Sequence, residues 1–159
     1  MQIEIKPLKK QEIEKVALIA SSSFSGLKDV RQAIRWVACN FRAFPRLRYF
    51  TAQEKGQVIG YILWLEKGGF RNQSVFELEQ IAVKESFRGR GVATSLIKQS
   101  LSALQKDLKK RKAQLKIIEI TTGADNKAQK LYRKALGAEP EAVLKDFFRG
   151  DELIMLARF

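Results

Sequence analysis

The chain has 159 residues, 45% of them hydrophobic, with a net charge of +13, no histidine and one cysteine, Cys39. Those absences exclude Ser-His-Asp and Cys-His catalysis, His-ligated metal sites and an internal disulfide, leaving proton transfer to Glu, Asp, Tyr, Lys or bound water. One domain over residues 1–159 is expected, in the cytoplasm: Val58 to Leu65 is too short an apolar run to span a membrane, and Met1-Gln2-Ile3-Glu4-Ile5 lacks the order of a signal peptide.

In chain order, Ile3 and Ile5 alternate with polar neighbours, and Pro7 closes a short first strand. Ile13, Val16, Ala17 and Ala20 make the apolar stripe of a helix that Ser21-Ser22-Ser23 and Gly26 interrupt. A second helix is expected from Lys28, with Val30, Ala33, Ile34, Val37 and Phe41 inward, stopping before Pro45. Trp36 lies off that stripe, either packed on a neighbouring element or lining a cleft, and packing is the preferred reading. Cys39 reads as a small packed residue. Leu47 to Gln53 and Val58 to Glu66 read as strands of a hairpin joined through Glu54-Lys55-Gly56-Gln57. Gly60 inside the second of them signals a bulge or a close backbone approach.

The chain is organised around Val75 to Leu101. Val75 to Val83 reads as a strand, and Lys84 to Gly91 as a loop carrying Arg88, Gly89, Arg90 and Gly91. A helix then starts at Val92, with Leu96, Ile97, Leu101, Leu104 and Leu108 at helical spacing. Glycines let backbone approach a ligand, and the first amides of a helix lack intrahelical partners, so this arrangement suits an anion. A P-loop would need Lys and Ser or Thr after the last glycine, where Val92 and Ala93 stand. A Rossmann fingerprint would need a small residue at Thr94 and an acid on a following strand, and that region is still helix. What remains is Arg88-x-x-Gly91-x-Ala93 after Ile81-Ala82-Val83, or simply a tight glycine turn into a helix.

Beyond the long helix, Asp107 to Lys112 forms a basic cluster, read as a solvated helix end rather than a nucleic-acid site. Leu115 to Ile120 makes a strand, parallel to the organising strand because a helix connects the two. Thr121-Thr122-Gly123-Ala124 turns the chain, Asp125 caps a helix bearing Ala128, Leu131, Tyr132 and Ala135, and Gly137 ends it. Ala142 to Phe148 and Glu152 to Phe159 close the sequence as a hairpin about Arg149-Gly150-Asp151.

Arg88-x-x-Gly91-x-Ala93 resembles the acetyl-CoA loop of the GNAT superfamily of N-acetyltransferases, and Ala128-x-x-Leu131-Tyr132-x-x-x-x-Gly137 looks like its second motif. The order of elements matches along the whole chain. The resemblance implies a mixed α/β domain: a central, mostly antiparallel sheet with one parallel, splayed strand pair, and helices on both faces. It implies acetyl-CoA as cosubstrate and no metal. The pantetheine arm would lie in the splay on the backbone of Ile81, Ala82 and Val83, and the pyrophosphate on the segment Arg88, Gly89, Arg90, Gly91, Val92 and Ala93. The family often carries Asn seven residues before the Tyr. Here Asp125 holds that position and Asn126 follows, so Asn126 joins the cofactor-binding set. Ala138 replaces the usual aromatic after the helix-ending glycine.

Tyr132 is similar in position to the tyrosine that protonates the departing thiolate, and a phenol of pKa about 10 holds its proton at neutral pH. Glu77 and Glu79 share a face of a regular strand and are the candidate bases, unless they are a solvated or salt-bridged pair. Glu77 matches the glutamate base of the histone-acetylating branch, and Glu79 lies nearer the thioester end. Lys145 to Glu152 looks like the closing hairpin of the branch that acetylates protein N-termini, with Phe147 and Phe148 where that branch commonly has tyrosines. The resemblance implies direct transfer to a primary amine. A peptide α-amine is preferred over lysine or a polyamine, because an α-amine of pKa about 8 is more often neutral and a strongly cationic chain repels polycations. The alternatives are a small-molecule amine or polyamine as acceptor, or a basic RNA- or ribosome-binding module that retains a CoA pocket. A monomer or homodimer with no membrane association is expected.

Overall fold

The structure is a computed structural model and describes residues 2–159. Seven strands form one sheet in the order β1-β2-β3-β4-β5-β7-β6. The strands are β1 (Glu4–Pro7), β2 (Leu47–Glu54), β3 (Gln57–Lys67), β4 (Gln73–Val83), β5 (Gln114–Gly123), β6 (Glu139–Leu144) and β7 (Glu152–Arg158). Four α-helices accompany them: α1 (Ile13–Ser23), α2 (Val30–Arg42), α3 (Val92–Lys110) and α4 (Gln129–Leu136). Mixed α/β with one parallel pair, β4 with β5, is therefore the observed class. The chain clusters into two compact units, one comprising the segment up to Trp64 with Gln80–Ser100, the other Leu65–Glu79 with Leu101–Phe159.

In the first unit, β1 pairs antiparallel with β2 from Glu4↔Gln53 to Pro7↔Phe50. The β2–β3 turn has Lys55 at φ 50° and Gly56 at φ 76°. Two consecutive left-handed residues make the two-residue connection that matches strand twist, as the Lys55-Gly56 pair suggests. Val16, Ala17, Ile19 and Ala20 of α1 and Ala33 and Val37 of α2 pack with Tyr49, Val58 and Tyr61 of the strands. Burying each of the larger of these side chains stabilises the fold by about 1.5–3 kcal/mol. A buried polar network runs through the same region: Gln53 Nε2 donates to Glu12 Oε1 at 2.7 Å, and Asn40 Nδ2 to the Tyr49 hydroxyl at 3.2 Å.

Three expectations for these helices need correction. Ser21, Ser22 and Ser23 do not interrupt α1, because the Ser21 and Ser22 hydroxyls donate back to the carbonyls of Leu18 and Ile19 and stay in the helix. The helix ends at Phe24, before a short 3₁₀ turn holding Gly26. The second helix begins at Val30, with Asp29 as its cap accepting from the Gln32 amide, and Val30 itself is exposed. Trp36 and Cys39 are also exposed rather than packed, since the buried stripe of α2 is Ala33, Val37 and Asn40.

In the second unit, β5 pairs antiparallel with β7 from Ile117↔Arg158 to Gly123↔Glu152, and β7 pairs with β6. Thr121, Thr122 and Gly123 remain in β5, so the expected turn begins only at Ala124, still ahead of α4. The last hairpin is offset too. β6 starts at Glu139, carries a register shift between Pro140 and Ala142, and stops at Leu144. Residues 145–151 form its loop, where Lys145 Nζ meets Asp151 at 2.6 Å and the Asp146 amide donates to Asp151 at 3.1 Å.

The basic cluster at the end of α3 is only partly solvated. Arg111 turns onto Glu66, which is 2% exposed; its Nη1 reaches Glu66 Oε2 at 3.2 Å, and its Nη2 bonds both Glu66 Oε1 and, at 2.7 Å, the Ser74 hydroxyl. A carboxylate this buried requires a partner of that kind.

Candidate functional site

β4 sets the frame. Its burial alternates: Ser74, Phe76 and Leu78 are buried, while Val75, Glu77, Glu79 and Ile81 are half-buried on the other face. The β4–β5 ladder begins at Gln73↔Gln114 and ends at Glu77↔Glu119, although β4 continues to Val83 and β5 to Gly123. Past Glu77 the parallel pairing has stopped, which releases the backbone of Ile81, Ala82 and Val83 from a β5 partner.

The end of β4 is held tightly within its own unit. The Lys84 amide donates to the Ile59 carbonyl at 2.8 Å, and a Cβ on Gly60 would meet the Ala82 carbonyl oxygen at 2.9 Å. Gly60 therefore serves a close backbone approach, the second of the two readings of its strand position. Arg88 Nε donates to the Val83 carbonyl at 3.1 Å, bracing the loop on the strand, so a ligand reaching that oxygen must share it with the guanidinium.

Gly89 (φ 73°) and Gly91 (φ 78°) both need left-handed backbone, and a Cβ on either would meet nothing within 4 Å. The constraint at these positions is conformational, and the surface above them is open. The Ser95 amide bonds back to the Gly91 carbonyl at 3.0 Å as α3 begins. Arg90 stacks its guanidinium 5.4 Å from the Phe87 ring centroid. Two left-handed glycines, two arginines and a helix start make a donor-rich, cationic surface that fits a pyrophosphate.

The two candidate bases have different surroundings. Glu77 faces Glu119 across the parallel ladder, and Lys67 Nζ lies between them, 3.3 Å from Glu77 Oε2 and 2.7 Å from Glu119 Oε2. Opposed carboxylates repel, and the ammonium compensates. Burial works against the Lys67 charge, but the bond to Glu119 and the field of Glu77 outweigh it and hold the ammonium above the ordinary lysine range. Among the described residues no salt bridge to Glu79 is present. Burial, then the Glu77 charge, push its carboxyl above the ordinary glutamic acid range. Of the pair, Glu77 is salt-bridged and Glu79 is the carboxylate with raised basicity.

Tyr132 sits in α4, buried, its amide bonded to the Ala128 carbonyl. Burial pushes its phenol up to about 12, so the hydroxyl keeps its proton throughout the neutral range. The helix starts at Gln129, and Asp125 does not cap it. The Asn126 side-chain oxygen instead accepts from the Ala128 amide at 2.9 Å, and this turn displaces the expected start. Asn126 thereby uses one of the two acceptor positions of its side-chain oxygen within the turn. Gly137 ends the helix with left-handed φ 68°.

The sequence profile of the acetyltransferase (GNAT) family matches residues 13–138. This chain belongs to the GNAT family. A curated relative, an uncharacterized N-acetyltransferase of Methanocaldococcus jannaschii, is 28% identical over 105 residues, which cover 64% of this chain and 43% of that protein. The chain thus aligns with less than half the length of that relative. Among solved structures, the NatC complex bound to Gag peptide and CoA superposes with a TM-score of 0.77 at 15% identity, covering 100% of this chain and 99% of the other. The spermidine/spermine N-acetyltransferase SpeG from Vibrio cholerae gives 0.73 at 19% identity, covering 98% and 91%. At such identities the superpositions establish a shared GNAT fold.

Several groups of this GNAT chain stand out only in three dimensions. Lys67 and Glu119 flank Glu77 from other strands, and the Tyr61 hydroxyl donates to Gln80 Oε1 at 2.9 Å on β4. Sequence spacing carries no signal for such long-range pairs.

Proposed function

We propose that this chain is an acetyl-CoA-dependent N-acetyltransferase that transfers the acetyl group directly to a primary amine, with a peptide or protein α-amine as its preferred acceptor. Family membership supports the reaction class, and the segment from Ile81 to Ala93 carries the cofactor reading: strand backbone past the last β4–β5 pair, then two left-handed glycines and two arginines ahead of a helix. In this reading the amides from Arg88 to Ala93 hold the pyrophosphate, the backbone of Ile81, Ala82 and Val83 aligns the pantetheine arm, and Asn126 contributes its amide group. When bound, acetyl-CoA supplies an activated thioester and a thiolate leaving group.

Glu79 accepts the proton of the amine, directly or through water. Its raised affinity for protons improves it as a base while leaving it able to ionise. Glu77 adds its charge to the effect of burial at Glu79 and shares the Lys67 ammonium with Glu119. Tyr132, protonated up to about pH 12, donates to the sulfur as negative charge develops there.

The acceptor preference rests on the last hairpin. Phe147 and Phe148 pack edge to face at 4.7 Å and are 52% and 72% exposed, on a loop tied down by Asp151. Such a pair offers an apolar platform to a peptide chain and no hydroxyl contacts. The net charge of +13 disfavours polycations, and Lys67 takes up part of the negative charge that Glu77, Glu79 and Glu119 would otherwise present to one. The test is a competition between an acidic-flanked peptide with a free N-terminus, its N-blocked lysine analogue and spermidine. The free N-terminus should have the highest kcat/KM. A higher value for spermidine at low ionic strength would reject the charge argument and make a small polyamine the acceptor.

A further inference from the structure

The outer face of α2 takes no part in the chemistry above. Its sequence, Val30 to Arg42, contains three arginines and no carboxylate. At 100° per residue, Arg31, Arg35 and Arg42 fall on one stripe about 40° wide. All three are exposed, and Arg46 continues the run just beyond the helix. Trp36, 43% exposed, sits about 120° round the helix from the centre of that stripe, and past the helix end Phe44 is 69% exposed, its ring 5.8 Å from the Arg48 guanidinium carbon. A concavity of about 580 Å³ opens on this face, lined by Leu27, Ile34 and Cys39 together with Arg35, Trp36 and Arg42.

We propose that this face docks single-stranded nucleic acid, with the arginines on phosphates and Trp36 and Phe44 under unstacked bases. Guanidinium groups bind phosphate oxygens bidentately, and every base offers a face to an aromatic ring, so the pairing needs no particular sequence. An acidic peptide would match the arginines, but it would cover the rings only where it happened to carry apolar or aromatic side chains, whereas every base of a single strand offers a face to them. A duplex keeps its bases stacked on one another and out of reach of Trp36. The concavity, apolar inside with arginines at hand, has the size and character of a site for a planar group.

Trp36 also supplies the assay. The other tryptophan, Trp64, is fully buried with its indole N–H bonded to Ser100 at 2.8 Å, so a ligand at the surface quenches Trp36. Titration with an oligouridylate of about 12 nucleotides at about 50 mM salt should quench the fluorescence. In anisotropy with a labelled oligonucleotide, Arg35→Ala/Arg42→Ala should weaken binding at least about tenfold and reduce the log–log salt slope by about 1.4, since each phosphate contact on a single strand contributes about 0.7. Trp36→Ala should weaken it at least about fivefold without changing that slope. Circular dichroism verifies folding, and Arg→Gln versions replace any Ala variant that fails to fold. The proposal is overturned if no quenching occurs, or if duplex RNA or polyglutamate binds as tightly as the oligouridylate. It is equally overturned if Lys109→Ala/Lys112→Ala, which removes the same charge from the end of α3, weakens binding as much as the α2 variant.

Discussion

Replacing Arg111 with Leu isolates the most deeply buried charge described in the second unit. Glu66, 2% exposed, would lose both guanidinium bonds and keep the Ser74 hydroxyl at 3.1 Å. Removing one partner of a buried ion pair typically costs about 3–5 kcal/mol, and the surviving Ser74 bond places this case near 3 kcal/mol. For a chain of this length each kcal/mol lowers Tm by about 2–4 °C, so a fall of about 6–12 °C is expected. Glu66→Gln in the same background removes the buried charge that Arg111 no longer compensates and should recover most of the loss. Thermal melts followed by circular dichroism at neutral pH measure both effects. A fall under about 3 °C for Arg111→Leu would mean that water or its other contacts compensate Glu66 and that the pair is worth no more than a surface bridge, refuting the assignment of Arg111 as its principal partner.

Glu79→Gln should lower kcat/KM by about 10²–10⁴-fold, with Glu77→Gln costing far less; comparable losses would make the salt-bridged pair the functional unit. The same substitution has a signed effect on stability. Because the folded pKa of Glu79 is raised, the folded state binds more protons than the unfolded one between the two values, and the carboxylate destabilises the fold as pH rises through that window. Glu79→Gln should therefore melt higher than the parent at pH 7, the difference vanishing below the ordinary glutamic acid range; a lower Tm at pH 7 would contradict it. Tyr132→Phe should reduce kcat with a saturating acceptor by about 10²-fold or more while leaving CoA affinity nearly unchanged. Turnover within a factor of about two would assign the acid to another group or to water.

Local chemistry made much of the fold readable. Glu54 to Gln57 marked a hairpin, Gly137 a helix stop, Gly60 a bulge or a close approach (the structure has the latter), and the helix between β4 and β5 their parallel pairing. The misread positions were those where a longer-range or competing bond decides. The serines of α1 found carbonyls within the helix, Asn126 built a turn that displaced the start of α4, and Arg111 left the solvated cluster for a carboxylate 45 residues away. At the site, the period of the strand placed Glu77 and Glu79 on one face. Lys67, on another strand, and the burial that raises the Glu79 carboxyl distinguish them. For Trp36 the preference for packing failed and the other reading, lining a cleft, fits: its angular offset from the stripe was visible, but its exposure depends on what packs against α2.

The central claim, that the Arg88–Ala93 loop binds acetyl-CoA for transfer to an amine, is most directly tested by thiol release from acetyl-CoA across a broad amine and peptide panel. The assay compares the parent with Gly91→Ala and Gly91→Glu. Both variants carry the strain of a side chain at φ 78°, and only Glu adds bulk and negative charge above the loop. Amine-dependent thiol release by the parent, partial activity for Ala, and loss of both activity and calorimetric CoA binding in a folded Glu variant are predicted. No amine-dependent release from the parent, or undiminished CoA affinity in folded Gly91→Glu, would contradict it.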